Sequence, residues 1–580
     1  MKGSTPTLLA LTLAFSSMES MAAADLVLLN GKVFTAEKGH PMAQAVAVED
    51  GKILKVGSDA EIKALADGTT QVLDLDGKVV MPGLIDSHSH PVMGGYASLR
   101  ANLEDAMMPL DELERWIIEQ DQAGRARIED VVHISGANSG YWSQSRQLAE
   151  RFNKGRWVDQ PLVLDGIDGH TGWANAAMLK RVGIDAGLVK GLPSKEASYI
   201  EHEKDLTPTG FLAETGWDRV RSKLPEPSEA MMLDATRAAV KINNGYGVTA
   251  WMDAAANAGH SESLFELRPT EQDVGVLPLY RALSEKGELS AHVAALLVTH
   301  PQSKPADLAV LARTMQRFDG VPNLTFPGIK IFADGILEYP GQTAAVIDPY
   351  NNSHKQGQLL LDPKHFGELV DAAEQRGWRV HVHAVGDLAV RESLNGFAHA
   401  RKLRPAPVAH SISHLQLVNP KEFPRFKELG VIASMQLLWA QGENYTVEMV
   451  KPYVSALAYR YQYPAQSLKK AGATLAGASD WPVSSPNPWN AIYQSISRKG
   501  PKGVLNLDEG IDRETMFYAY TINAAQALGL EQRIGSLAPG KQADLILLDR
   551  DVFSVSDEQL NETQVLKTWF AGREVYTAAR

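Results

Sequence analysis

Eight short runs rich in apolar and β-branched residues recur between positions 84 and 480. They are Leu84 to His90, Gly247 to Asp253, Ala291 to Val298, Gly328 to Asp334, Trp378 to Ala384, Val408 to His414, Val431 to Gln436 and Thr474 to Asp480. Most are followed by a segment of helical pattern. Alternating strands and helices imply a parallel sheet, and eight is the number that closes a (β/α)₈ barrel. The chain therefore reads as α/β, a TIM-like barrel across residues 82–534.

Two features do not belong to a plain barrel. Roughly 155 residues separate the first run from the second, far more than a βα connection needs. They should form an inserted subdomain at about 96–235, with strand candidates at Val131 to Ser135 and Leu162 to Leu164. An insertion after the first barrel strand falls on the catalytic face, so a lid or pocket wall is expected. At the chain ends, Asn30-Gly31, Asp50-Gly51 and Asp76-Gly77 follow short apolar runs, and Ala571-Gly572 repeats the style near the C-terminus. Such pairs favour the left-handed turns of hairpins. Residues 25–81 and 535–580 are expected to make one small β-sandwich.

Residues 1–24 carry Lys2, an apolar stretch from Leu8 to Phe15, and Ala22-Ala23-Ala24 before Asp25. That is the pattern of a secretory signal peptide cleaved after Ala24, giving a periplasmic or secreted protein. The stretch is too short to span a bilayer, and no later run reaches the length required. With no cysteine, any metal must be held by histidine, carboxylate or something less usual. A net charge of −12 without a basic block excludes a nucleic-acid surface and leaves a small molecule as the expected partner.

The chemistry-bearing residues gather at the C-terminal ends of the runs, where barrel enzymes keep their active sites. His88 and His90 are two apart on the first run and share a side. A His-x-His pair alone fits a metal site and equally two hydrogen-bonded histidines near a surface. Lys330, between Ile329 and Ile331, points inward, where an unpaired ammonium is costly. His381 and His383 share a face, as do His410 and His414; in each pair the later residue is nearer the mouth and the earlier one reads as core or supporting. Asp480 offers a carboxylate at the end of the eighth run, although an Asp there can also cap a helix.

Taken together, the segments Met-Pro-Gly-Leu-Ile-Asp-Ser-His-Ser-His at 81–90, Gly-His-Thr-Gly-Trp-Ala-Asn at 169–175, Lys-Ile-Phe-Ala-Asp-Gly at 330–335, His-Ala-Val-Gly-Asp at 383–387, His-Leu-Gln-Leu-Val at 414–418, Ala-Ser-Asp-Trp-Pro-Val at 478–483 and Gly-Ser-Leu-Ala-Pro-Gly-Lys-Gln-Ala-Asp-Leu at 535–545 resemble the amidohydrolase superfamily. Within it they are most similar to amidohydrolase family 3 and its N-substituted formamide deformylase-like branch. The resemblance covers nearly everything after the leader.

It implies one or two divalent ions, zinc or another metal. His88 and His90 would hold the more buried ion, His383 and His414 the more exposed one, and Lys330, carboxylated by CO₂, would bridge them. Asp480 would contact the buried ion and handle protons as the catalytic residue. The implied activity is hydrolysis of an amide-like C–N bond through a metal-activated hydroxide. The resemblance also puts His170, Trp173 and Asn175 in the substrate pocket and is compatible with a homodimer. Trp481, beside Asp480, is a further substrate contact.

The chain departs from the branch after Asp334. Many relatives carry a shorter Gly-Ser-x-Gly-Ser-Arg-Thr-Ala there, whereas this chain brings Glu338, Tyr339 and Gln342 to the mouth in place of an arginine. The same site would also serve an ester, lactone, carbamate or deamination substrate, and a non-catalytic regulator on this scaffold is the alternative outside enzymes.

Overall fold

The computed structural model describes residues 23–259, 264–404 and 408–579. All eight expected runs form strands, named here β1 (Leu84–Ser89), β2 (Val248–Asp253), β3 (His292–Val298), β4 (Leu324–Phe332), β5 (Arg379–Ala384), β6 (Ser411–His414), β7 (Ile432–Met435) and β8 (Thr474–Gly477). They lie in sequence order in one parallel sheet.

The sheet curls until β8 meets β1, and the seam is fastened at the mouth. Asp480 N–H donates to His88 C=O at 2.9 Å and His90 N–H to Trp481 C=O at 2.8 Å. Asp86, fully buried on β1, accepts from the Ser479 backbone N–H at 3.1 Å and from the Ser479 hydroxyl. Burial raises the Asp86 carboxyl to about 7.

Parity along the strands separates two cores. Ile329, Ile331, Val380, Val382 and Ile412 face outward into the large cluster shared with the surrounding helices. Ile85, Met252, Leu296, Ile432 and Ala476 face inward, and Ala524, Ala525 and Leu528 of the helix Ile522–Leu528 plug the barrel from below. Each fully buried Leu, Ile or Val contributes about 1.5–3 kcal/mol. That burial holds the frame on which the mouth is built.

The chain ends build two further sheets. One has four strands, all from residues 26–74; the other has six and joins Lys32–Phe34, Met42–Ala43 and Val79–Pro82 to Leu545–Leu548, Val565–Phe570 and Arg573–Thr577. Leu28, Val46, Val80, Leu545 and Trp569 pack in one cluster between them. The left-handed turns are present, with Asn30 at φ 59°, Asp50 at 48°, Asp76 at 50° and Ala571 at 48°. Only Asp50-Gly51 and Ala571-Gly572 close hairpins. Asn30-Gly31 and Asp76-Gly77 instead carry the chain from one sheet to the other, because the strands they join pair elsewhere.

Between β1 and β2 a separate six-stranded sheet, residues 127–213, includes strands at Val131–Ala137 and Leu162–Gly166. The expected leader falls on residues 1–22, outside the described residues, apart from its last two positions. Among the described residues no helix is long and apolar enough to cross a membrane.

Candidate active site

Two connected cavities open at the C-terminal ends of the strands. The inner one, about 190 Å³, is lined by His88, His90, Lys330, His383, His414 and Asp480. The outer one, about 600 Å³, shares His383, His414 and Asp480 with it.

The backbone brings these residues together in different ways. His88 lies on β1, while His90 starts the helix Pro91–Leu99, and both Nε2 atoms converge on Asp480 Oδ1, at 3.1 and 3.3 Å. On the regular β4 and β5 ladder, Lys330 stands opposite His381 and Phe332 opposite His383. His414 breaks the alternation. By parity with Ile412 it would face outward, and with it His410, but φ of 75° turns its ring into the mouth. The expectation that His410 and His414 share a face therefore fails for a backbone reason. Asp480, at φ 58°, is the second ligand candidate in the left-handed region, a conformation that needs surrounding support in a residue with a Cβ.

Ligand atoms of His88, His414 and Asp480 lie within 4.8 Å of one another. His414 Nδ1 is buried, has no hydrogen-bond partner, and sits 3.8 Å from Asp480 Oδ2. Burial, together with the neighbouring cations, holds His88 and His383 well below the usual imidazole range; burial does the same for His414 against the pull of Asp480. Burial works against the Asp480 anion, but the hydrogen bond from His90 and the attraction of the surrounding basic side chains outweigh it and lower its pKa. Neutral imidazoles around an ionised carboxylate are the donor set a divalent cation requires, so the residues present fit a metal.

Supporting contacts fix the ring orientations. His88 Nδ1 lies 2.6 Å from His381 Nε2, and His381 Nδ1 lies 2.6 Å from the Ser411 hydroxyl, which leaves His88 Nε2 for the mouth. His383 Nε2 meets the Gly335 carbonyl at 3.1 Å. Trp439 stacks on His414 at 5.8 Å between ring centroids. Burial lowers Lys330 to about 7 while Asp480 pulls the other way.

The expected substrate residues divide. His170 lines both cavities, 5.4 Å from His383 between rings, with Nδ1 3.1 Å from Glu214. Burial opposes its charge, but Glu214 outweighs burial and raises it. Trp481 and Glu338 line the outer cavity. Gly94 makes room for Trp481, since a Cβ there would stand 2.3 Å from the indole.

Four others lie off the cavity walls. Trp173 is buried in the insertion core and donates to Thr209 C=O. Asn175 caps the helix Ala176–Val182 and holds Leu162, Phe152 and Gln160 through its amide. Every polar atom of that amide is engaged, which corrects its reading as a substrate contact. Tyr339 is 42% exposed and stacks on Tyr453, and Gln342 pairs with Asn352 on the surface. Sequence reasoning missed Trp439, Glu443 and Tyr445 of the loop after β7 and Asp168 of the insertion, all of which line the outer cavity. Loop residues without periodicity give no signal; Asp168, one residue before the 169–175 motif, could have been found.

The model of the amidohydrolase family matches residues 71–576. The chain is 30% identical to Protein LONG AFTER FAR-RED 3 of Arabidopsis thaliana, over 95% of this chain and 92% of that protein. It is 26% identical to N-substituted formamide deformylase of Arthrobacter pascens, over 94% and 97% of the two chains. The crystal structure of an uncharacterized metal-dependent hydrolase from Pyrococcus horikoshii superposes with a TM-score of 0.68 at 22% identity, covering 92% of this chain and 99% of the other.

Proposed function

This chain belongs to the amidohydrolase family, and from that premise we propose that it is a metal-dependent hydrolase that cleaves an amide-type C–N bond. One observation carries the reading. His414 Nδ1, buried and without a partner, faces Asp480 and His88 at the catalytic end of the barrel. A polar atom left so costs about 1–3 kcal/mol unless something else completes it.

The ion, zinc or a similar divalent metal, one or two, would be held by His88, His90, His383, His414 and Asp480. When bound it lowers the pKa of water and polarises a carbonyl. Lys330 is the residue for CO₂ to carboxylate: its buried amine is readily neutral, and addition of the nitrogen lone pair to CO₂ with loss of a proton turns a stranded cation into an anionic ligand.

The residues of the chain supply the rest. Asp480, ionised at the mouth, takes a proton from the attacking water and returns it to the leaving nitrogen. His170, paired with Glu214, donates to the substrate oxygen from the outer side. We read the terminal sheets as one β-sandwich and the insertion as the lid whose His170 and Asp168 wall the pocket.

The test is metal analysis of the purified protein alongside a panel of N-formyl and N-acyl amines, esters and lactones. Metal near one or two ions per chain with amide turnover is expected. Less than ~0.2 ion per chain and no activity would overturn the hydrolase reading, and turnover of lactones alone would remove the C–N assignment. Glu338→Arg, which restores a cation near the mouth, should shift the preferred amides.

A further inference from the structure

The outer cavity concentrates one sign of charge. Glu104, Asp105 and Asp168 reach it from the insertion, Glu338 from the loop after β4 and Glu443 from the loop after β7. No lysine or arginine is among the described residues that line it. Three separate segments thus place carboxylates around one space whose basic side chains are histidines alone, with His170 already paired to Glu214.

Asp168 and Asp105 are engaged by the fold. Asp168 accepts from the backbone N–H groups of His170 and Thr171, both at 2.8 Å, and from the Ser139 and Thr171 hydroxyls. Asp105 accepts from the Tyr445 hydroxyl at 2.6 Å and the Asn138 amide at 2.9 Å. Glu338 takes one hydrogen bond, from the Gln416 amide at 3.0 Å. Burial raises Glu443, and repulsion from Asp105 and Glu338 adds to it. Burial raises Glu338 and Asp105 as well, and like charges brought together in such a space are relieved either by taking up a proton or by a counter-charge that joins them.

The remaining walls also suit a cation. Trp439, Tyr445, Tyr463 and Trp481 line the same cavity, and aromatic faces attract ammonium and guanidinium groups. The space continues to His414, 3% exposed with Nδ1 unpartnered, and to Asp480. One molecule can therefore touch the carboxylates and the reacting centre together.

We propose that the substrate is an amide whose non-reacting end carries an organic cation, an alkylammonium or guanidinium, held by Glu338 and Glu443 against Trp439 and Tyr445. The inference rests on the hydrolase reading above and narrows its substrate class. The metal-free surface that receives the cation lies in the loops after β4 and β7, away from the strand ends that hold the ligand candidates.

The experiment uses the metal-loaded full-length protein and two matched amides, N-acetyl-1,4-diaminobutane and its neutral isostere N-pentylacetamide. Calorimetry runs beside it with the corresponding methanesulfonamides, which are not hydrolysed. The cationic amide should be preferred in kcat/KM, and the cationic sulfonamide in affinity, by roughly 10- to 100-fold. Glu338→Gln and Glu443→Gln should each reduce that preference, mainly through KM, with the circular dichroism spectrum retained. Equal turnover and equal binding of the charged and neutral probes would overturn the cation assignment and leave the hydrolase reading standing. Preferential binding of the cationic sulfonamide without turnover of either amide would support the cation site and count against the amide reading.

Discussion

The barrel buries histidines at both ends of β6 and treats them differently. At the lower end, His410 is complete. Val380 N–H donates to its Nδ1 at 3.0 Å, its Nε2 lies 2.8 Å from Glu374, and Arg401 reaches the same carboxylate. Phe397 stacks flat on the ring at 4.6 Å. At the upper end, His414 leaves Nδ1 without a hydrogen-bond partner, with Lys330, its pKa lowered by burial, in the same chamber. Burial lowers both imidazoles, so charge does not distinguish them. Completion does. Both ring nitrogens of His410 are engaged by the protein, whereas His414 Nδ1 is left open, at an unfavourable ~1–3 kcal/mol, among the ligand candidates at the mouth.

The most direct way to break this contrast is Asp480→Asn. It should lower kcat by roughly 10²- to 10⁴-fold with little change in melting temperature, and a variant that keeps its activity would return the upper end to scaffold. The opposite behaviour is expected of Glu374→Gln, which takes the buried carboxylate from Arg401 and His410. Calorimetry should show a loss of about 3–5 kcal/mol, while the metal content of the folded fraction stays at the wild-type value.

Metal removal sharpens the comparison further. Zinc added back to chelator-treated protein at a hundred times its Kd should stabilise it by about 2.7 kcal/mol. His414→Ala should diminish that gain and His410→Ala should not, as read from melting curves with and without the ion.

The smallest effect is a pH dependence. Glu443 rises from an ordinary value of 4.5 to about 7, through burial and then Asp105 and Glu338. An acid raised by folding stabilises the fold below its unfolded value, near pH 4.5, and that contribution is lost as pH climbs through about 7. The same ionisation supplies charge to the outer cavity. Relative to the neutral isostere, KM for the cationic amide should fall by roughly threefold between pH 6 and 8; a rise would contradict it.

The sequence made the frame legible where strands are regular and buried. All eight runs became barrel strands, because β-branched segments walled by helices on one side and a filled barrel on the other leave few alternatives. Period-two reasoning also oriented Lys330 and His383 correctly, since β4 and β5 pair without a bulge. It failed at His414, where a left-handed backbone overrides parity, and no residue type there announces that conformation. Turn chemistry at Asn30-Gly31 fixed the dihedral without fixing the pairing partner. Trp173 and Asn175 stand close in sequence to a pocket residue, yet Trp173 and Ala174 pack into two apolar clusters on opposite sides of their strand and Asn175 caps the helix that follows. Trp439 and Glu443 sit on irregular chain whose course only the fold determines.

The join between β1 and β8 carries a last consequence. The hydrogen bonds that shut the cylinder, from Asp480 to His88 and from His90 to Trp481, each start from a residue offered as a ligand and end on another or on the neighbour of one. Spacing within the metal set is therefore ruled by the same stitches that keep the staves together. An engineer could exchange the walls contributed by the insertion and by the β4 and β7 loops to admit new molecules, since none of those walls holds the cylinder shut. Cutting or re-threading the chain between Asp86 and Ser479 would slacken the hoop and the reactive centre in one stroke.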